Sequence, residues 1–470
     1  MSVGVAGLAA TPRERIGHPW RTMTHEPPAP MPVPAAASAP AAAPTPAPAA
    51  APDSTPPPAG APAAVLRAAI VYSILFGAQG AYLPYISLYL AASGLGLGSV
   101  GALIALFAAV SLIAAPAWGA LADGIGDVRG PVLVAGLLSG AVVALLAVAV
   151  GPLALAIAMA LLAATWAGVI PMIDSQAVRL VGRRERYGQA RAPGSGAFVV
   201  VTFLTGAVIG SLGPGGMYLV YGPLVVLTGL AGWLLLRLPR SDTRRAAGAG
   251  RGSGGISPAT LMAVLRTPRL GVFFIASVVL WTSHAALQGF ITLRVQQLGG
   301  DGLTIAATWS LGALLEVPLM TAFPALARRF GAERLLVIGA ACFAIRALVS
   351  AVVDAPILIV LASAFGGVGF SFVYVGTVIW VAGAVGRGAQ ATAQGIFSGT
   401  SNSIGAIVGS IVGGAIGGAF GLSVLFGLAA VGYALGAILV WLAVGRSREG
   451  QTPGGSQPRP EPRPRHIASA

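Results

Sequence analysis

The chain has 470 residues, of which 56% are hydrophobic and 9% charged, with a mean hydropathy of +0.83; water-soluble domains carry about 25% charged residues, so no soluble class fits and the bilayer is the solvent. The formal charge of +14 does not point to nucleic acid, because the basic residues, none of them Lys, are strung out between apolar segments instead of clustering on one soluble module. A single cysteine, Cys342, inside an apolar stretch excludes a disulfide framework and a cysteine-based metal site.

Residues 1–62 are rich in Pro and Ala and hold too few large apolar side chains to offset their ordering entropy, so a disordered cytosolic tail is expected. Nothing in it has the apolar core of a signal peptide, and insertion falls to the first membrane helix. Apolar stretches of about 20 residues, each enough to cross about 30 Å of hydrocarbon as helix, then follow near 67–91, 97–121, 130–150, 152–177, 195–213, 216–237, 270–293, 303–326, 334–353, 356–383, 391–419 and 421–444. These twelve spans predict an all-α membrane protein with six helices in 63–237 and six in 270–445. Residues 238–269, which include RSDTRRAAGAGRGSGG, read as a flexible cytosolic linker, and 446–470 as a second disordered cytosolic tail. Every Arg except Arg294 and Arg346 falls in the tails, in the linker or beside the loops after even-numbered spans, which places both termini in the cytosol.

Small residues are expected where membrane helices approach closely, and Gly405, Gly409, Gly413 and Gly417 share one face of the eleventh span; close packing is the main reading and a gating hinge the other. Gly96, Gly98 and Gly101 spell GxGxxG at a turn between spans, with no βαβ unit around them to make a dinucleotide site.

The chain carries an internal repeat. Setting PALARRFGAER (Pro324–Arg334) on GALADGIGDVR (Gly119–Arg129) keeps Ala, Leu, Ala, the turn Gly and the last Arg in register. Gly119, Leu121, Ala122, Asp123 and Gly126 resemble the loop motif between the second and third helices of the major facilitator superfamily. Phe76–Leu95 (FGAQGAYLPYISLYLAASGL) and Pro171–Gly196 (PMIDSQAVRLVGRRERYGQARAPGSG) resemble its phenylpropionate and lactose permease-like branch. The resemblance covers roughly residues 63–445 and implies two pseudo-symmetric six-helix halves, a conformational gate at Gly119, Asp123, Gly126 and Arg129, and a solute site between the halves. Gly124 and Asp127 depart from the motif, leaving Asp123 and Arg129 for its inter-helix charge relay.

Ionisable groups cost about 2.5–3.5 kcal/mol each at a helix centre, so the few inside these spans ask for a cavity or a partner. They are Asp174, His284, Glu316 and Arg346. At about 1.5 Å per residue, Glu316 and Arg346 each lie about 18 Å from the nearest boundary Arg, and His284 about 22 Å, near the midplane. Two readings stand for Glu316 and Arg346. They are either an ion pair that holds the eighth and ninth spans in register, or a proton-coupling pair in which a motion that separates them makes Glu316 take up a proton. In the resembled branch a Glu and an Arg on these two spans are needed for symport, and Glu316 and Arg346 match them. Pro318 lacks an N–H and is expected to disturb the helix near Leu314. His284 shares a face with Trp281 and Gln288, where it serves either as a structural hydrogen-bonding group or as a contact for substrate or proton. Gln394, Ser398 and Asn402 make a second polar stripe, on the eleventh span.

In the first half Tyr82, Tyr85 and Tyr89 fall on one helical face, as cavity wall or interfacial belt. Asp174 and Arg191 have the spacing of a substrate-recognising carboxylate and Arg in the resembled branch, and a bridge closing the inner gate is the alternative. The tenth and eleventh spans hold no ionisable group, unlike the sugar symporters of that branch, which leaves phenylpropionate-type and other small organic solutes open.

The expected function is secondary active transport of a small organic solute across the cell membrane by alternating access with proton symport, by a monomer in the lipid bilayer. The alternative is a proton-antiport exporter of drugs or metabolites. No continuous pore lining or sensor domain suggests a channel or receptor, and no nucleophile with a base, metal set or cofactor motif suggests an enzyme.

Overall fold

A backbone surrounded by hydrocarbon must pair its N–H and C=O groups within its own segment, so apolar stretches of this length become helices. The computed structural model describes residues 61–182, 184–238, 268–385, 390–395, 397 and 402–445. Both tails, most of the central linker and Ser398 lie outside the described residues. Among those described, twelve helices are long and apolar enough to cross a membrane. They are α1 (Pro62–Ala92), α2 (Leu97–Ile125), α3 (Arg129–Val148), α4 (Pro152–Val181), α5 (Arg186–Leu212), α6 (Pro214–Leu235), α7 (Pro268–Gln297), α8 (Gly302–Phe330), α9 (Ala332–Val352), α10 (Pro356–Ala384), α11 (Ser403–Phe420) and α12 (Leu422–Val444). A short helical piece, Gln390–Gly395, precedes α11.

Two helices are interrupted where the sequence suggested continuity. The first breaks between Tyr82 and Ile86, around Pro84. The fourth breaks between Trp166 and Val169, because Pro171 gives no N–H to the carbonyl of Ala167. Conversely, α8 runs unbroken through Pro318 and Pro324, so the disturbance expected near Leu314 does not end the helix. The turn glycine of the repeated motif is explained by its backbone: Gly126 has φ 74° and Gly331 φ 87°, a region costly for residues with a Cβ. Asp301 caps α8, its carboxylate accepting from the Thr304 N–H at 2.8 Å and hydroxyl at 2.7 Å. These bonds hold the Asp301 carboxyl below the usual carboxylate range.

The repeat extends to packing. In the first half α1 packs on α5 and α6, α3 on α6, and α4 on α2 and α3. In the second half α7 packs on α11 and α12, α9 on α12, and α10 on α8 and α9, the same pairings six helices on. Glycines set several of these seams. Gly136 meets the backbone of Gly229 between α3 and α6, and Gly405, Gly409 and Gly413 bring α11 onto Trp281, Thr282 and Ala286 of α7. The expected role of that stripe in close packing thus holds for three of its four glycines, Gly417 facing only leucine side chains more loosely.

We call the end of the bundle that carries Pro62 and Val444 the tail end, and its opposite the far end. The halves meet most extensively through α2 with α11 and α5 with α8, two contacts related by the same pseudo-symmetry, with a smaller one between α1 and α7. Both are at the far end: Gly101 faces the backbone of Ser410 and Gly414, and Gly206 faces that of Gly302. Tyr85 crosses the joint, its hydroxyl reaching the carbonyls of Thr202 (2.8 Å) and Gly302 (3.2 Å). Thr292 donates to the Pro84 carbonyl at 2.7 Å and accepts from the Trp309 indole at 3.1 Å.

Arg294, the exception in the Arg distribution at the far end, has a structural explanation. It is 6% exposed and donates to the carbonyls of Ser350, Ala351 and Val353 at 3.0–3.4 Å, supplying partners that the end of α9 lacks. Replacing it by Met keeps most of the volume and strips these carbonyls, with an expected loss of about 2 kcal/mol. A melting temperature equal to the parent's in detergent would show that the cap contributes nothing.

Candidate functional site

The interior of the second half gathers groups from several helices around Arg346. On α7, Trp281 and His284 stand one turn apart with ring centroids 5.2 Å from each other. Phe370 of α10 lies 6.0 Å from Trp281 and 6.1 Å from His284, and Phe343 of α9 lies 5.1 Å from His284. From α12, the Tyr433 hydroxyl meets His284 Nδ1 at 3.3 Å while its ring stacks on Phe343. Gln288 is two turns from Trp281, and its Oε1 is enclosed without a hydrogen-bond partner.

Arg346 is buried, 6% exposed, and among the described residues its side chain has no hydrogen bond and no ion pair; Nε is fully enclosed with nothing there to donate to. Its guanidinium lies over Gly366 of α10, where an added Cβ would come within 2.7 Å of Nη1. Glu316 approaches from α8, its backbone carbonyl accepting from Ser371 Oγ at 3.2 Å. Glu316 and Arg346 are near enough for their charges to interact, yet no nitrogen–oxygen approach falls within 4.0 Å. The structure brings the two together across helices, but a closed ion pair locking α8 to α9 is not what it contains.

The first half holds a different cluster nearer the tail end. Asp174 Oδ1 accepts from Tyr72 at 2.6 Å, from Arg191 at 3.0 Å and from Tyr187 at 3.1 Å. Arg191 also donates to the Tyr187 hydroxyl at 2.9 Å and sits over the rings of Phe76 (5.0 Å) and Tyr72 (5.7 Å). The pairing of Asp174 with Arg191 matches the sequence spacing. Tyr72 and Tyr187 add to it, and only Tyr187, one turn before Arg191, could have been picked from the sequence.

Other candidates sit elsewhere. Tyr85 is fully buried in the joint between halves, past the break at Pro84 that separates it from the helical run of Tyr82. Tyr82 is buried in the first half, stacked on Tyr221 at 4.8 Å with its hydroxyl 3.6 Å from Met159 Sδ. Gln394 donates to the carbonyl of Val378, and the side chain of Asn402 lies outside the described residues. In the loop motif, Arg129 pairs with Asp127 at 2.8 Å and not with Asp123, so the expected relay between Asp123 and Arg129 is absent here. Asp127 stands in the turn two residues before Arg129, a shorter reach than Asp123, which is on α2 six residues before it. Burial works to raise the Asp127 carboxyl, and the hydrogen bonds and charge of Arg129 outweigh it, holding it below the usual range. Gly119 and Gly126 face open space.

Comparison with known proteins agrees with this architecture. The model of the MFS_1 like family matches residues 65–428. The maltose permease of Geobacillus stearothermophilus is 27% identical over 343 residues, 72% of this chain and 84% of that protein. A probable 3-phenylpropionic acid transporter of Escherichia coli (strain K12) is 33% identical over 161 residues, 34% of this chain and 40% of that protein. Among solved structures, the nucleoside transporter NupG superposes with a TM-score of 0.71 at 16% identity, covering 81% of this chain and 98% of that one. A peptide transporter, POT, gives 0.57 at 17% identity, covering 82% and 94%. At such identities the solved structures speak for the fold alone. The family match over most of the sequence and the twelve-helix architecture together carry the conclusion: the chain belongs to the MFS_1 like family and is a membrane transporter of the major facilitator type.

Proposed function

We propose that this transporter carries a small organic solute across the cell membrane by alternating access and couples the movement to protons in symport. One observation supports the coupling above all: Glu316 and Arg346 share a buried site between helices without forming an ion pair. A carboxylate and a guanidinium that can join or part offer a proton site whose occupancy follows the shape of the protein. The gathering of the inter-half contacts at the far end, among the described residues, supports alternating access, with the halves, 63–237 and 270–445, rocking about the linker 238–269. The bias of Arg toward the tail end supports cytosolic termini and linker, so that this conformation faces the cytosol. The chain acts as a monomer, since each half supplies its own cluster and the joint lies within one chain. The relatives span a sugar and an aromatic acid, and either chemistry fits a small organic solute.

Full-length protein in proteoliposomes supplies the test. With membrane potential clamped, an inward proton gradient should drive accumulation of labelled 3-phenylpropionate or maltose, and a protonophore should abolish it. Uptake indifferent to the gradient would remove proton coupling, and efflux driven by an inward gradient would replace symport by antiport.

A further inference from the structure

We propose that Arg346 is the anchor for the carboxylate of an organic monoanion, whose apolar body lies against Trp281 and Phe370. This rests on the reading of the chain as a proton-coupled solute carrier and names the chemistry its site recognises. The argument starts from cost. A charge withdrawn from water is tolerated when it is paired and hydrogen-bonded, and a guanidinium in a membrane interior is among the most expensive groups to leave alone. Arg346 is 6% exposed, has no side-chain hydrogen bond or ion pair among the described residues, and keeps Nε enclosed without an acceptor. Its planar fork of donors matches a carboxylate in two parallel hydrogen bonds, a geometry no neutral hydroxyl reproduces.

The surroundings limit the choice of anion. The titratable groups facing Arg346 are His284 from α7, Glu316 from α8 and Tyr433 from α12, while α10 offers Gly366. Of these only Glu316 is a carboxylate, and it stands beyond ion-pair distance. When a monoanion takes Arg346, Glu316 becomes the surplus charge, and one proton neutralises it. When the site is empty and deprotonated, Glu316 and Arg346 balance each other. Loaded and empty forms are both neutral, which is the condition for either to cross between conformations cheaply. A dianion would leave one charge unbalanced. The stoichiometry is therefore one proton per monocarboxylate, and the aromatic wall of Trp281 and Phe370, with centroids 6.0 Å apart, selects acids with a ring. Gly366 belongs to the same site, because its missing side chain is the seat of the guanidinium.

The experiment is calorimetry on the full-length protein in nanodiscs with benzoate and phenylacetate, each against its neutral amide, at a pH where the acids are ionised. Each acid that binds is expected to bind at least about tenfold tighter than its amide, about 1.4 kcal/mol. Arg346→Gln should bring acid down to amide, and Arg346→Lys should recover part of the difference. Should Arg346→Gln fail to fold, Gly366→Ala decides: it keeps the charge, displaces the guanidinium, and should weaken the acids several-fold without moving the amides. Equal binding of acid and amide, no binding of either acid, or acid affinity indifferent to both substitutions overturns the proposal. A pH indicator in the same titration separates it from the coupling. Acid binding that needs Arg346 but takes up no proton keeps the anchor and removes symport, whereas proton-driven uptake of a neutral sugar without acid binding does the reverse.

Discussion

Glu316→Gln is expected to abolish accumulation of solute against its gradient while exchange of solute across the membrane continues. The amide has nearly the shape of a protonated carboxylate and cannot release a proton, so the substituted carrier is fixed in the loaded-like charge state. Exchange needs only that the occupied carrier return occupied, and it never asks Glu316 to deprotonate. Net uptake needs the empty carrier to return, and in Glu316→Gln that form leaves Arg346 with no negative charge to balance it across the low-dielectric interior. The rate of net uptake should therefore fall by orders of magnitude while the exchange rate stays within a few-fold of the parent. The measurement is counterflow beside gradient-driven uptake in the same proteoliposomes. If Glu316→Gln still concentrates solute, Glu316 is a structural group and the proton site lies elsewhere, His284 being the next to test.

The spans and the duplication were legible in the sequence because the bilayer and the repeat each act along the chain. Hydrocarbon thickness fixes the length of an apolar stretch, and the motif around Gly126 and Gly331 keeps its turn glycine because both copies need positive φ. The site was legible in composition but not in contact. Glu316, Arg346, His284 and Asp174 stood out as the ionisable groups inside apolar segments, and the structure gathers the first three in one half. Whether Glu316 and Arg346 touch depends on how α8 and α9 rotate against α10, which is set by Gly312 meeting Gly367 and by Gly366 receiving the guanidinium. No pattern within either helix encodes that. Tyr433 and Tyr72 were passed over for the same reason: each is one aromatic residue on an apolar face until a partner from another helix arrives. The break at Pro84 was in principle readable, and reading through it is what kept Tyr85 on the face of Tyr82.

Gly206→Leu should hold the far end open and stop transport without unfolding the protein. In the closed joint a Cβ on Gly206 meets the carbonyl oxygen of Gly302, and a Cβ on Gly302 meets that of Gly206. These obstacles are backbone, fixed in the helical ladders of α5 and α8, and cannot swing aside as a side chain would. The cost of forcing the contact, about 1–3 kcal/mol for an overpacked site, is avoided entirely if the halves part. The open alternative exposes the side chain instead, so the substitution acts on the balance of conformations more than on folding. A reporter can be placed in the symmetry-related joint, on α11: Ser410 is 1% exposed where its carbonyl faces Gly101. In a background with Cys342→Ser, a cysteine at 410 should react with an impermeant thiol reagent at least about tenfold faster when Gly206→Leu is present, a shift of about 1.4 kcal/mol toward the open far end. Solute should still bind from that side while uptake and exchange both cease, because neither can proceed through a carrier that never closes there. Unchanged labelling with normal transport would mean that the Gly206 and Gly302 contact is packing alone, and that the halves move about some other joint.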